Sequence, residues 1–259
     1  LVGKKIKSVS SDPSDSIDGQ MWYNTTTGSL RALAILASTT SQTSMSRSGN
    51  RNQFGTASGG SADANWAGSG SPGYSNITEE FNGSGWSSGG TQNVSALNRS
   101  GFGTLTAGVI CGGMLATPVA TNTTEHYNGT SWSTANAMPE ALRGLAGGGP
   151  QTAGIMYSGH GNPSVSPVAS DKTKYYDGTN WTVQPATMNT ARANMSGCGI
   201  QTAALGVSGE SGPVGTPAQS MTEEYNGSTW STAPTLNTAR GNQGPAMCQG
   251  STTAATMMG

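Results

Sequence analysis

The chain has 259 residues, a formal net charge of −1, only 10% charged residues and 39 glycines. Near-neutral charge supplies no general attraction to nucleic acid or to an anionic membrane, and so little charge does not suit a disordered chain. Glycine, serine and threonine disfavour long helices, which leaves many short strands joined by tight turns as the expected structure.

The N-terminus, "LVGKKIKSVSS", carries Lys4, Lys5 and Lys7 with no apolar segment behind them, so no signal peptide is visible. Leu1 in place of Met reads as a processed or trimmed start. No apolar run approaches the roughly 20 residues of a membrane span, so no membrane insertion is expected. Residues 1–20 are read as an arm, of which 1–17 either docks onto a partner protein or stays a solvated terminus. Asp12, Asp15 and Asp18 recur every third residue. The EF-hand spaces its first ligands every second, so a solvated, capped loop is expected and no metal. "MWYNTTTGSL", Met21 to Leu30, reads as a hairpin, placed at 21–34. "MSRSG" follows at Arg47, and "DANWAGSG" is a small-residue strand with Trp66 where Leu205 stands later. "GSGSPG", Gly68 to Gly73, spells GxGxxG, but glycine is abundant here and no helix follows, so no nucleotide site is read.

Four copies of a nine-residue phrase come next: "TEEFNGSGW" from Thr78, "TEHYNGTSW" from Thr124, "TKYYDGTNW" from Thr173 and "TEEYNGSTW" from Thr222. Their tryptophans, Trp86, Trp132, Trp181 and Trp230, stand 46, 49 and 49 residues apart. In each, an aromatic (Phe81, Tyr127, Tyr176, Tyr225) precedes an Asn-Gly or Asp-Gly pair. That pair favours the positive φ of a tight turn, so the phrase reads as strand, turn, strand.

A second phrase is centred on arginine: Arg47, Arg99, Arg143, Arg192 and Arg240, five of the seven arginines, at what reads as one repeat position. A small-residue strand follows each. Every unit of about 48 residues then holds four short strands, the signature of a propeller blade. The last unit, from Arg240 to Gly259, lacks its hairpin, and the N-terminus carries a spare one, with Tyr23-Asn24 where Tyr225-Asn226 stand. The expected fold is therefore all-β. It is a five-bladed propeller of four-stranded antiparallel blades over 21–259, the last blade closed by strands from both termini. The alternative is an open array extended by another chain.

The repeated arginine admits two readings: a ring of ligand-binding cations, or a structural cation for carbonyls and for Glu79, Glu125 and Glu223. Lys174 replaces that glutamate in one unit, so the pairing is not universal. The repetition favours structure. The tryptophans either stack on sugars or, as their fixed place suggests, pack between blades. His126 lies inside a hairpin strand and is expected at the surface. His160 has no triad or second metal ligand near it in sequence. Cys111, Cys198 and Cys248 form no CxxC and read as buried thiols. Sequons such as Asn128-Gly129-Thr130 come free with the turn. Four loops around Tyr74, Met114, His160 and Val214 vary in sequence at equivalent places in the blades and are the candidate binding surface. No catalytic residue is picked out.

The hairpin phrase, "LNTARG" and "QTAG" together resemble kelch-like propeller repeats and, more narrowly, repeats in virion proteins of tailed phages, particularly marine ones. "DGQMWYNTTTGSLRAL" resembles a segment of phage structural and fibre proteins. The resemblance spans Asp18 to Gly259. It implies a multicopy, non-enzymatic virion component on the tail or capsid. Such a component attaches to a host glycan or protein through its loops and to other virion proteins through residues 1–17. The metal ligands of oxidase-type kelch propellers have no counterpart in this sequence, so no cofactor is expected. A secreted or surface lectin is the alternative, and a hydrolase or lyase using the channel mouth the third reading. The last should show clustered carboxylates outside the repeat, and none is seen.

Overall fold

The computed structural model describes residues 7–11, 21–32, 55–56, 64–71, 73–117, 119–162, 169–212, 217–241, 248–251 and 254–257. The chain divides into two compact units, Leu1–Gln42 and Thr43–Gly259. Every regular element among the described residues is a β-strand.

In the second unit, β4 (Gly55–Thr56), β5 (Asn65–Gly68), β6 (Thr78–Phe81) and β7 (Trp86–Ser88) form the first four-stranded antiparallel sheet, in sequence order. The same pattern recurs in β8 (Ser100–Gly103), β9 (Gly108–Cys111), β10 (Thr124–Tyr127) and β11 (Trp132–Ala135). It recurs again in β12 (Ala146–Gly148), β13 (Gly154–Tyr157), β14 (Lys172–Tyr176) and β15 (Trp181–Thr187), and in β16 (Ser196–Ile200), β17 (Ala203–Val207), β18 (Thr222–Tyr225) and β19 (Trp230–Ala233). First strands lie side by side, β4 on β8, β8 on β12 and β12 on β16, which is the arrangement of propeller blades. Trp66 pairs with Glu80 as Leu205 pairs with Glu224, the correspondence expected from sequence.

Four complete blades thus stand among the described residues, not five. Of the fifth, β20 (Cys248–Ser251) and β21 (Ala254–Met257) form a two-stranded sheet, and β20 lies against β16. The hairpin expected to complete it belongs to the first unit. There β2 (Met21–Asn24) pairs antiparallel with β3 (Ser29–Ala32) and parallel with β1 (Lys7–Val9), so both edges of β2 are taken.

The repeated phrase folds as a hairpin, but its turn differs from a two-residue one. Tyr127 pairs with Trp132, leaving a loop of four residues in which only Gly129 has positive φ. Asn128 acts through its side chain: Oδ1 accepts the N–H of Thr130 at 2.9 Å and of Ser131 at 2.8 Å. Asp or Asn is needed there for that acceptor and glycine for the backbone. Asn24 caps Thr26 and Thr27 in the same way at 3.0 and 3.1 Å, so the N-terminal hairpin shares the device.

Apolar burial is between blades. Trp132 donates Nε1–H to Thr78 Oγ1 of the preceding blade at 2.8 Å, Trp181 to Thr124 at 3.0 Å and Trp230 to Thr173 at 2.8 Å. Their rings meet Trp66 (5.0 Å between centroids, edge-on), Phe102 (6.2 Å) and Tyr157 (4.7 Å) from three different strands. Three separate apolar clusters result, one per interface. Hairpin tyrosines complete each contact: Tyr127 bonds Glu80, Tyr176 bonds His126 Nε2 at 2.6 Å, and Tyr225 bonds Tyr175 at 2.9 Å. His126 is accordingly half-buried at an interface and not the surface residue expected, because position 126 faces the next blade.

Candidate functional site

The end of the ring that carries the variable loops is set by one backbone device. Each second strand ends in two consecutive residues of positive φ: Ser69-Gly70, Gly112-Gly113, Ser158-Gly159 and Ser208-Gly209. The glycine donates its N–H to the next blade, Gly113 to Leu142 at 2.9 Å, Gly159 to Arg192 at 3.1 Å and Gly209 to Arg240 at 3.0 Å. Its carbonyl accepts from the returning loop, Thr121, Ser170 and Gln219 respectively. A Cβ on Gly113, at φ +115, would stand 2.6 Å from Arg99 Cγ and 2.9 Å from Leu97 O, so glycine is required. Because start and return are equivalent, the loops around Met114, His160 and Val214 leave the same end of their blades. Val214 itself lies outside the described residues.

These bonds give the register of the arginines, and it is not one position. Leu142, Arg192 and Arg240 are equivalent acceptors, as is Ala96, which accepts from Gly70. Arg99 therefore lies three residues beyond the Arg192 position and Arg143 one beyond it. The segments that join the arginine phrase to the next strand differ in length, so similar spelling falls at different depths. Arg47 lies outside the described residues.

Arg99 and Arg192 nevertheless do one job. Arg99 Nη1 bonds Glu125 Oε1 at 2.6 Å, and its guanidinium also donates to the carbonyls of Gly112 and Thr123. Arg192 Nη2 bonds Glu223 Oε1 at 2.8 Å, with Nη1 on the equivalent carbonyls of Ser208 and Met221. Both pairs are fully buried. The carboxylates also accept backbone N–H groups, Glu125 from Asn93 and Val94 and Glu223 from Asn189. Burial lowers both guanidinium pKa values, and the facing carboxylates oppose that. In the third blade the charges are inverted. Lys174 replaces the glutamate, and Glu140 supplies the anion, 3.5 Å from Lys174 Nζ and also bonded to Lys172.

Arg143 is left over. It is 6% exposed, its Nε has no hydrogen-bond partner, and it enters none of the ion pairs of the described residues. Burial lowers its pKa, opposed by the nearby Glu210 carboxylate and Tyr74, which come from the fourth and first blades. Arg143 therefore lies near residues of two other blades. Its backbone exchanges both hydrogen bonds with His160, at 2.9 and 2.8 Å, so the two side chains stand on one face of the pair. His160 is fully buried and donates Nε2–H to Gly212 O at 3.0 Å, which leaves Nδ1 as an unprotonated acceptor without a partner. Burial lowers the His160 pKa, with the Arg143 charge adding to the effect, so the ring is neutral at neutral pH. Asn194 Nδ2 donates to Glu210 Oε2 at 3.3 Å.

Sequence analysis singled out His160 and Tyr74 only as loop markers and missed Glu210 and Asn194. It also grouped Arg143 with the structural arginines. A signal was present: the residue after each glycine staple is Ser71, Met114, His160 or Glu210, one structural position with four chemistries. Among the described residues no group of three or more His, Cys, Asp or Glu could hold a metal ion. Cys111 and Cys198 are buried and form no disulfide among the described residues, and burial pushes the Cys111 thiol up to about 12. No protein-family model matches this chain, and no curated protein matches it.

Proposed function

We propose that this chain is a kelch-like, five-bladed propeller that serves as a non-enzymatic virion component and attaches through the loop end of its ring. The observation that carries the attachment reading is the contrast between the invariant glycine staple and the four different residues that follow it. A repeat protein keeps what holds its blades and varies what meets a partner. Placement in a virion rests on the resemblance of the repeat phrases to phage propellers. Several copies per particle would add avidity to shallow contacts.

Five blades are supported by Arg240, whose carbonyl takes the Gly209 N–H as Arg192 takes that of Gly159, and by β20 lying on β16. The hairpin Met21–Ala32 supplies the missing half, its turn capped like the others, once β2 exchanges β1 for β21. Deletion of residues 1–34 then lowers Tm and produces concentration-dependent oligomers through the open edge; a deletion that leaves a monomer of unchanged Tm would sink closure by both termini.

The function is tested by locating the chain and blocking adsorption. Quantitative mass spectrometry of purified particles should find it in fixed copy number, and the purified chain should compete with particle adsorption. A free secreted protein absent from particles would replace this reading with the lectin one.

A further inference from the structure

A buried guanidinium nitrogen without an acceptor is expensive, since burial removes its water, and Arg143 Nε is such an atom. Arg99 and Arg192 show what this chain does with a buried guanidinium when it is structural: each is met by a carboxylate and two backbone carbonyls, although Arg192 Nε too is left without a partner. Arg143 has no such arrangement. Nor does the fold require arginine there, because Leu97 and Ala193 hold the equivalent position and bridge Met114 and Glu210 as Arg143 bridges His160. The structural role of the third blade is met by Lys174 and Glu140 instead.

We propose that the axial end of the ring binds the carboxylate of an acidic sugar, with Arg143 as the anion hook and His160 Nδ1 and Glu210 as acceptors for its hydroxyls. The inference rests on reading the loop end as the attachment surface and names the chemical class of its ligand. A planar carboxylate matches the guanidinium fork. His160, donating Nε2–H to Gly212, offers Nδ1 only as an acceptor, and Glu210 has Oε1 left after Asn194 takes Oε2. Those acceptors need a ligand that brings O–H donors beside its charge, which a hexuronate does. A phosphate dianion brings more negative charge towards Glu210 and few donors. Arg143 is 6% and Glu210 8% exposed, which favours a small ligand over an extended acidic peptide.

The test titrates the 259-residue chain with sodium D-galacturonate by calorimetry, with D-galactose, acetate and inorganic phosphate as comparators. Galacturonate binds saturably, acetate more weakly for want of hydroxyls, and galactose and phosphate not at all. Arg143→Leu, the residue that the second blade uses, keeps at least the wild-type Tm and weakens galacturonate by about 10- to 100-fold, the range of a lost charged hydrogen bond. His160→Met, again the second blade's residue, weakens it less, by about 5-fold. No saturable binding by the wild-type chain, equal affinity of Arg143→Leu, or displacement of galacturonate by phosphate would each overturn the proposal. Should Arg143→Leu fail to fold, His160→Met decides: unchanged affinity overturns the proposal, and weakened affinity supports it. Loss of the sugar site with adsorption competition intact removes the acidic sugar and leaves the attachment reading standing.

Discussion

The second and third blades solve the same problem with opposite signs. Each buries an ionic group beside its hairpin strand. In the second the strand brings the anion, Glu125, and the preceding segment brings Arg99. In the third the strand brings the cation, Lys174, and the preceding segment brings Glu140. The second blade's solution is tight: the pair is 2.6 Å apart, and backbone donors and acceptors surround it. The third blade's is looser, with Lys174 Nζ 3.5 Å from its partner and no hydrogen bond. What the third blade gains is an arginine outside the ion pair, one register step away and paired through its backbone with His160. A repeat can release a residue for recognition only where another pair has taken over its burial.

The largest effect expected comes from breaking the tight pair. Arg99→Met leaves Glu125 charged and buried, and should cost about 3–5 kcal/mol in urea unfolding. A loss below 1 kcal/mol would show that the second blade does not depend on it. Lys174→Glu should cost a comparable or slightly smaller amount, since it puts a carboxylate beside Glu140. Adding Leu142→Arg should then restore much of the loss, because positions 142 and 174 correspond to Arg192 and Glu223 of the fourth blade. Failure of the second change to rescue the first would break the equivalence of the blades.

Acid should produce a smaller effect. Burial holds the pKa values of His160 and His126 below the ordinary 6.5. Between the folded value and 6.5 the unfolded chain binds more protons than the native one, so stability rises with pH there and falls on acidification. His160→Met should remove part of that fall, measured as Tm against pH; an unchanged slope would mean that the axial histidine does not sense acid. The smallest effect is the most telling. Arg143→Leu should leave stability at or slightly above that of wild type, since it removes a buried nitrogen without a partner, unlike any change at Arg99.

The hairpins were legible because turn chemistry is local: an Asn or Asp acceptor followed by glycine writes the same loop wherever it occurs. The blades were legible because the phrases recur at a nearly fixed period. The inter-blade role of His126 was not, since its partner, Tyr176, stands 50 residues away. The two edges of β2 were equally hidden, because parallel pairing of Lys7–Val9 leaves no mark at that distance.

By itself, then, the sequence determined an all-β chain of repeated four-stranded blades, through the period of its tryptophans and the chemistry of its turns. Only the tertiary structure decided which arginine holds the fold and which is free. The physical reason is reach: a guanidinium on a long, flexible stem finds the same carboxylate and carbonyls from backbone positions three residues apart, as Arg99 and Arg192 do. Similar spelling therefore does not report register, and a side chain one step out of place, Arg143, reads the same while meeting none of those partners.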